Sequence, residues 1–86
     1  MAKSKSENIP ALVLAVIAKV YELAGRRMQP WYVSRSAIEL VDAADAVNSA
    51  IYYAEVSGFL VGSGEPPQGV AITAAGVELL KERGMI

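Results

Sequence analysis

The first regular pattern of apolar positions lies between Pro10 and Gly25. One stripe recurs every three or four residues, which is the spacing of a helix face: Val13, Ile17, Val20 and Ala24. Pro10 suits the first turn of a helix and Gly25 suits its end, so the pattern predicts a helix of about four turns. That stripe is the predicted core face of the helix.

A second apolar face of the same helix carries Leu14, Ala18 and Tyr21. Either the rest of the chain wraps a central helix, or a second copy of the chain covers the surplus apolar surface. We predict a homodimer, with four expected interface residues: Leu14, Ala18, Tyr21 and Trp31. The wrapped central helix is the alternative that the sequence leaves open.

A short strand and a short second helix are predicted next. Trp31, Tyr32 and Val33 are aromatic or β-branched and follow Pro30, which is typical of a brief strand. Ser36 with Glu39 has the spacing of a capping box, although Ser34 is an equally good cap. The helix that would follow contains four apolar residues: Ala37, Ile38, Leu40 and Val41.

A third helix is predicted over residues 46–56. Asp42 and Asp45 are successive candidates for its cap, and Gly58 suits its end. The apolar residues at helical spacing are Val47, Ile51, Ala54 and then Phe59. Because Tyr52 and Tyr53 are adjacent on this helix, their side chains point about 100° apart and cannot both be fully buried.

A hairpin and a final helix complete the pattern. Residues 59–61 and 70–73 are strand-like, and the segment between them is rich in glycine and proline. Thr73 is the predicted cap of a last helix, Ala74–Glu82, with Leu79 and Leu80 facing inward and Gly84 ending it.

Three motifs in this order resemble the winged helix-turn-helix superfamily, particularly its bacterial and archaeal regulators. The first is the spacing of five residues in the middle of the chain: Ala37, Leu40, Val47, Ala50 and Ile51. The second, GFLV at residues 58–61, resembles the entry into a wing, and the third, ITAAGVELL at residues 72–80, resembles the exit into the final helix. In the third motif Gly76 would let a neighbouring backbone approach closely.

The resemblance implies a mostly α fold with a small β-hairpin (α+β), in which a three-helix core carries a wing and a C-terminal helix. This single domain would span residues 9–86, after a flexible tail at residues 1–8. The implied function is a transcriptional regulator that binds double-stranded DNA as a homodimer. A winged helix can also serve as a protein-interaction module, which is the alternative function.

In such a fold, the helix beginning near Ala43 would enter the major groove. Its expected DNA-facing residues are Ala44, Asp45, Asn48, Ser49 and Tyr52. Arg35 would clamp a phosphate, and Arg26 and Arg27 would flank the site. The wing would be formed by Gly64, Glu65, Pro66, Pro67 and Gln68.

Charge weakens the DNA interpretation and strengthens the alternative. The formal net charge is −1, and residues 1–7 contain two of the eight basic residues. Neither the predicted recognition helix nor the wing contains a lysine or an arginine, although phosphate contacts depend on such residues. Aromatic residues such as Trp31 and Tyr52, together with a Pro-Pro loop, are typical of protein interfaces.

The chain has no cysteine and no histidine, which removes disulfides, the common zinc ligands and the usual nucleophile and base pairs. We therefore expect no enzymatic activity, no cofactor and no metal. A cysteine-free small domain whose longest apolar run is interrupted at Lys19 is also expected to be cytoplasmic, without a membrane partner.

Overall fold

The computed structural model describes residues 9–40, 42–64 and 68–86. In chain order the elements are helix α1 (Ala11–Leu23), strand β1 (Val33–Ser34), a 3₁₀ turn (Arg35–Ala37), helix α2 (Ala44–Val56), strands β2 (Leu60–Ser63) and β3 (Gly69–Ile72), and helix α3 (Ala74–Glu82). The predicted tail at residues 1–8 and the wing tip at Glu65, Pro66 and Pro67 lie outside the described residues.

The three strands form one antiparallel sheet in the order β1-β3-β2. At one end of the sheet, Gly69 pairs with both Ser34 and Ser63, and the hairpin loop begins there. At the other end, Leu60 pairs with Ile72. We call these the loop end and the far end; β3 separates them by about 10 Å.

The core forms where α1 and α2 pack against each other and against the sheet. The predicted inward positions are confirmed as buried at Val13, Ile17 and Val20 of α1, while Ala24 is half-buried. On α2 the buried residues are Val47, Ala50, Ile51 and Ala54. Leu79 and Leu80 of α3 are buried as predicted.

The second apolar face of α1 packs within the chain. Leu14, Ala18 and Tyr21 are partly buried against the core, as the wrapped-helix alternative requires. Trp31 is different, because it lies in the loop after α1 and is 52% exposed. The four predicted interface residues therefore do not form one exposed seam.

The predicted second helix is wrong. Only the 3₁₀ turn Arg35–Ala37 forms, and Ile38 adopts an extended backbone that buries its side chain in the core. The hydroxyl of Ser36 lies 2.9 Å from that of Ser34, and neither serine caps a helix. A segment this short gains too few backbone hydrogen bonds to offset helix nucleation, so burial of Ile38 decides its conformation. Val41 lies outside the described residues.

The start of α2 also differs from the prediction. The helix begins at Ala44, two residues before the span 46–56 predicted from the apolar pattern and close to the start near Ala43 that the resemblance implies. Its N-cap is Ala43, whose methyl group cannot accept a hydrogen bond. Asp42 and Asp45 were the predicted caps, and neither occupies the N-cap position. Asp45 lies in the first turn, where a carboxylate interacts favourably with the unpaired backbone N–H groups.

The hairpin and last helix follow the predictions closely. β2 and β3 are each shifted by about one residue from the predicted strands. The bounds of α3 are those predicted, and its capping hydroxyl is that of Thr73. The described architecture, three α-helices and a three-stranded antiparallel sheet, is an α+β fold compatible with a winged helix. None of its helices is both long and apolar enough to cross a membrane.

Candidate functional site

Helix α2 presents an uncovered surface because its apolar stripe is directed into the core and the remaining positions point outward. We call this surface the α2 face; its exposed residues are Ala44, Asp45, Asn48, Ser49, Tyr52 and Val56. Tyr52 is 66% exposed and Val56, one turn later, is 68% exposed. All the predicted DNA-facing residues of the helix therefore lie together on one surface.

The sequence prediction missed Val56, although the four-residue spacing from Tyr52 would have placed it on the same face. Tyr53 is also exposed, so the two adjacent tyrosines are both outside the core, in line with their predicted divergence. Tyr53 and Val56 line a groove with Ile9 and Phe59. The apolar part of the surface thus extends from α2 towards the start of α1.

A cavity of about 640 Å³ opens beside the first turns of α2. We call it the α2 cavity; it is lined by Ser34, Arg35, Ser36, Ile38, Glu39, Leu40, Asp42, Ala44, Val47, Asn48 and Gln68. Ile38, Leu40 and Val47 supply apolar wall, and Glu39 and Asp42 are exposed carboxylates. Because Ser34 and Gln68 belong to its lining, the cavity lies at the loop end of the sheet.

The base of the hairpin loop is tied to the wall of this cavity. The Gln68 N–H donates to the Ser63 carbonyl at 2.9 Å, and the Gln68 carbonyl accepts from the Arg35 N–H at 3.0 Å. Of the predicted wing residues, Gly64 and Gln68 are described and both are exposed. Gln68 therefore joins the loop to the 3₁₀ turn and forms part of the lining of the α2 cavity.

Arg35, the predicted phosphate clamp, is engaged within the chain. Its Nη1 donates to Glu55 Oε2 at 2.9 Å, and the two side chains are only 25% and 18% exposed. This is the one ion pair within residues 9–40, 42–64 and 68–86. The charge of Arg35 is therefore compensated, whereas Glu39, Asp42 and Asp45 give the surface beside it an acidic character.

Arg26 and Arg27 lie elsewhere. Gly25 and Arg26 both have positive φ, near 69° and 64°, and the Arg26 N–H donates to the Tyr21 carbonyl at 2.8 Å, which turns the chain off the end of α1. Two residues after Arg27, the Gln29 N–H donates to the Ile72 carbonyl at 2.9 Å. The two arginines are therefore near the far end of the sheet, while the α2 cavity is at the loop end.

The Arg27 side chain has an aromatic partner. Its guanidinium carbon lies 4.4 Å from the centroid of the Trp31 ring, and both residues are exposed. A guanidinium over an indole face is attracted by the ring quadrupole, which favours this contact between the two side chains. We call the exposed Arg27 and Trp31 side chains the Arg-Trp knob.

In the part of the chain that the structure describes, no cluster of three or more acidic residues is arranged to hold a metal ion. No protein-family model, curated protein or solved structure matches this chain.

Proposed function

We propose that the chain is a protein-docking module whose α2 face and α2 cavity bind a partner segment with both apolar and basic side chains. The observation that carries the proposal is that Tyr52 and Val56 are exposed one turn apart on α2, while Arg35 is held by Glu55. An exposed apolar row beside uncompensated carboxylates complements a partner of this chemistry.

The apolar row supplies affinity in this proposal. Fully covering one side chain of this kind is worth about 1.5–3 kcal/mol, and tyrosine is enriched among the residues that dominate interface energetics. Because Tyr52 and Val56 are four positions apart, a single partner helix or strand can cover both.

The carboxylates supply selectivity. Glu39, Asp42 and Asp45 are exposed around the first turns of α2. They attract a basic segment and repel an acidic one, and that repulsion discriminates between partners as strongly as the attraction does. The same charges oppose the approach of a phosphate backbone, which needs lysine and arginine to neutralise it.

Duplex DNA binding by a winged helix is the second candidate, and one observation favours it. Asn48 and Ser49 are exposed on α2, whose first turns lie beside the base of the hairpin loop through the shared cavity lining. Asparagine can read adenine in the major groove, and serine can contact a base or a phosphate. The acidic surroundings of both residues place this candidate behind protein docking.

Two fluorescent amphipathic peptides test the docking function. They share one pattern of leucine and tryptophan and differ only at the polar positions, which are lysine in one peptide and glutamate in the other. We expect anisotropy to report binding of the lysine peptide alone. Tyr52→Ala should weaken that binding by about tenfold or more, because an anchor at the centre of the face is lost.

Tyr32→Ala is the matched control, since Tyr32 is an exposed tyrosine outside the α2 face. Equal affinity for the two peptides would show that the carboxylates do not discriminate between basic and acidic partners. Unchanged affinity in Tyr52→Ala would remove the α2 face from the binding surface.

A salt series with random duplex DNA separates the two candidates. The docking function predicts no binding at low salt from a folded sample. If DNA does bind, and the logarithm of its affinity falls with the logarithm of salt concentration with a slope of several units, the protein makes multiple phosphate contacts. That result would favour the winged-helix function.

A further inference from the structure

The Arg-Trp knob has the composition of an interface anchor. Trp31 is 52% exposed although it is the largest apolar side chain in the sequence, and Arg27 covers one face of its ring. Tryptophan and arginine are the residue types most enriched in the centres of protein interfaces. Because Arg27 and Trp31 already contact each other, less side-chain entropy is lost when the two dock together.

The α2 cavity has the complementary composition. Half-buried Leu40, together with the small exposed parts of Ile38 and Val47, offers apolar contact for an indole ring. Glu39 and Asp42 offer carboxylates for a guanidinium. A carboxylate can accept two parallel hydrogen bonds from one guanidinium, which fixes orientation as well as charge. The cavity is open to solvent, and its volume of about 640 Å³ leaves room for an indole ring and a guanidinium.

The segment that carries the knob and the cavity are attached to different ends of the sheet. Gln29, between Arg27 and Trp31 in sequence, is bonded to Ile72 at the far end of the sheet, whereas Ser34 and Gln68 place the cavity at the loop end. We propose that the Arg-Trp knob of one copy of the chain docks in the α2 cavity of a second copy. This inference rests on the proposed docking function and names the partner.

One such contact joins different surfaces of the two copies, so it leaves a free cavity on one copy and a free knob on the other. Such contacts continue into an open chain of copies or close into a ring. Unless two copies dock reciprocally and close as a dimer, assembly is expected to grow beyond a dimer with concentration. It is also expected to weaken with salt, because exposed charges contribute to the contact.

Charge reversal tests the pairing, with Arg27→Glu on the knob and Asp42→Lys in the cavity. Both residues are exposed, so neither change should disturb folding. In light scattering over a concentration series, each variant alone should associate about tenfold or more weakly than the parent chain.

An equimolar mixture of the two variants should recover association. In the mixture, the unchanged cavity of the Arg27→Glu variant can bind the unchanged knob of the Asp42→Lys variant. The two reversed sites carry opposite charges, so they can also pair with each other. Lys81→Glu and Glu78→Lys change the net charge by the same amounts at exposed positions of α3, and each should associate like the parent chain. Trp31→Ala should weaken association without any change in net charge.

A parent chain that is monomeric at every concentration and low salt would overturn the inference. So would association that survives both reversals, or two weakened variants whose mixture gains nothing. A monomer that still binds the lysine peptide would exclude the second copy as partner while the docking function stands. A monomeric chain that binds neither peptide would contradict both the self-association and the docking function.

Discussion

The Thr73 hydroxyl donates to the Gly58 carbonyl at 2.7 Å, and its oxygen also accepts from the Gly76 N–H at 3.1 Å. Gly58 follows the C-terminal end of α2, and Gly76 lies in the first turn of α3. The backbone adds a third link, because the Thr73 N–H donates to the Phe59 carbonyl at 3.1 Å. One residue therefore fixes where α2 ends relative to the start of α3.

Thr73→Val removes the hydroxyl and keeps the branched shape. The Gly76 N–H and the Gly58 carbonyl then each lose a partner, so we expect the free energy of unfolding to fall by about 1–3 kcal/mol. Urea denaturation measures the change. Thr73→Ser keeps the hydroxyl and should recover most of the loss; equal losses in the two variants would contradict a role for the hydroxyl.

Gly76→Ala tests the close approach of two backbones. A Cβ at this position would collide with the Phe59 carbonyl oxygen and lie 2.6 Å from Ile72 Cγ1. Helix propensity alone would make alanine more stable by about 1 kcal/mol, whereas overpacking typically costs about 1–3 kcal/mol. Because the obstacle includes backbone, we expect net destabilisation in thermal unfolding.

Ala75→Gly serves as the reference for Gly76→Ala, since Ala75 is an exposed position in the same turn of α3. It should be destabilised by about 1 kcal/mol through propensity alone. A more stable Gly76→Ala variant would show that Phe59 and Ile72 can move aside.

The local sequence was sufficient to predict α3 and the residues that cap and pack its first turn. Thr73 has the residue type and position of a cap, and Gly76 stands where the sequence pattern required close packing; both predictions agree with the structure. The ends of α1 and α2 could also be predicted from the local sequence, because Gly25 and Gly58 adopt the positive φ that terminates a helix. The Thr73 cap and the two helix ends depend on residues within one turn of each other, whereas the close approach at Gly76 also involves Phe59, before β2.

The incorrect or missed features depend on distant residues. The segment around Ile38 has a capping-box spacing, but burial of that side chain in the core outweighs it. Arg35 pairs with Glu55, 20 positions away, and a pattern of neighbouring residues cannot predict such a contact. The second face of α1 gives the same apolar pattern whether the chain itself or a second copy covers it.

Ala43→Ser should stabilise the chain by supplying the cap that α2 lacks. The N-cap backbone is already extended, with φ −61° and ψ 149°, so a serine oxygen can accept from the N–H groups of the first turn. We expect the free energy of unfolding in urea to rise by about 1 kcal/mol. Ala75→Ser, inside α3, should lower it slightly through propensity; a loss in Ala43→Ser would show that the start of α2 does not accept a cap.

Glu55→Gln should release Arg35 from its ion pair. Because both side chains are mostly but not fully covered, we expect the free energy of unfolding to fall by about 1 kcal/mol. A double-mutant cycle with Arg35→Gln should assign most of that loss to the pair itself. Additive losses in the cycle would show that the pair contributes nothing.

The same variant discriminates between the two candidate functions. Glu55→Gln removes one negative charge from the surface beside the α2 cavity and leaves the Arg35 guanidinium uncompensated. If the surface is a protein-docking site, the variant should still fail to bind random duplex DNA at low salt, because Glu39, Asp42 and Asp45 still repel phosphates. Filter binding or anisotropy measures this directly. Binding gained in Glu55→Gln, and lost again when Arg35→Gln is added, would identify Arg35 as a phosphate contact and favour the winged-helix function.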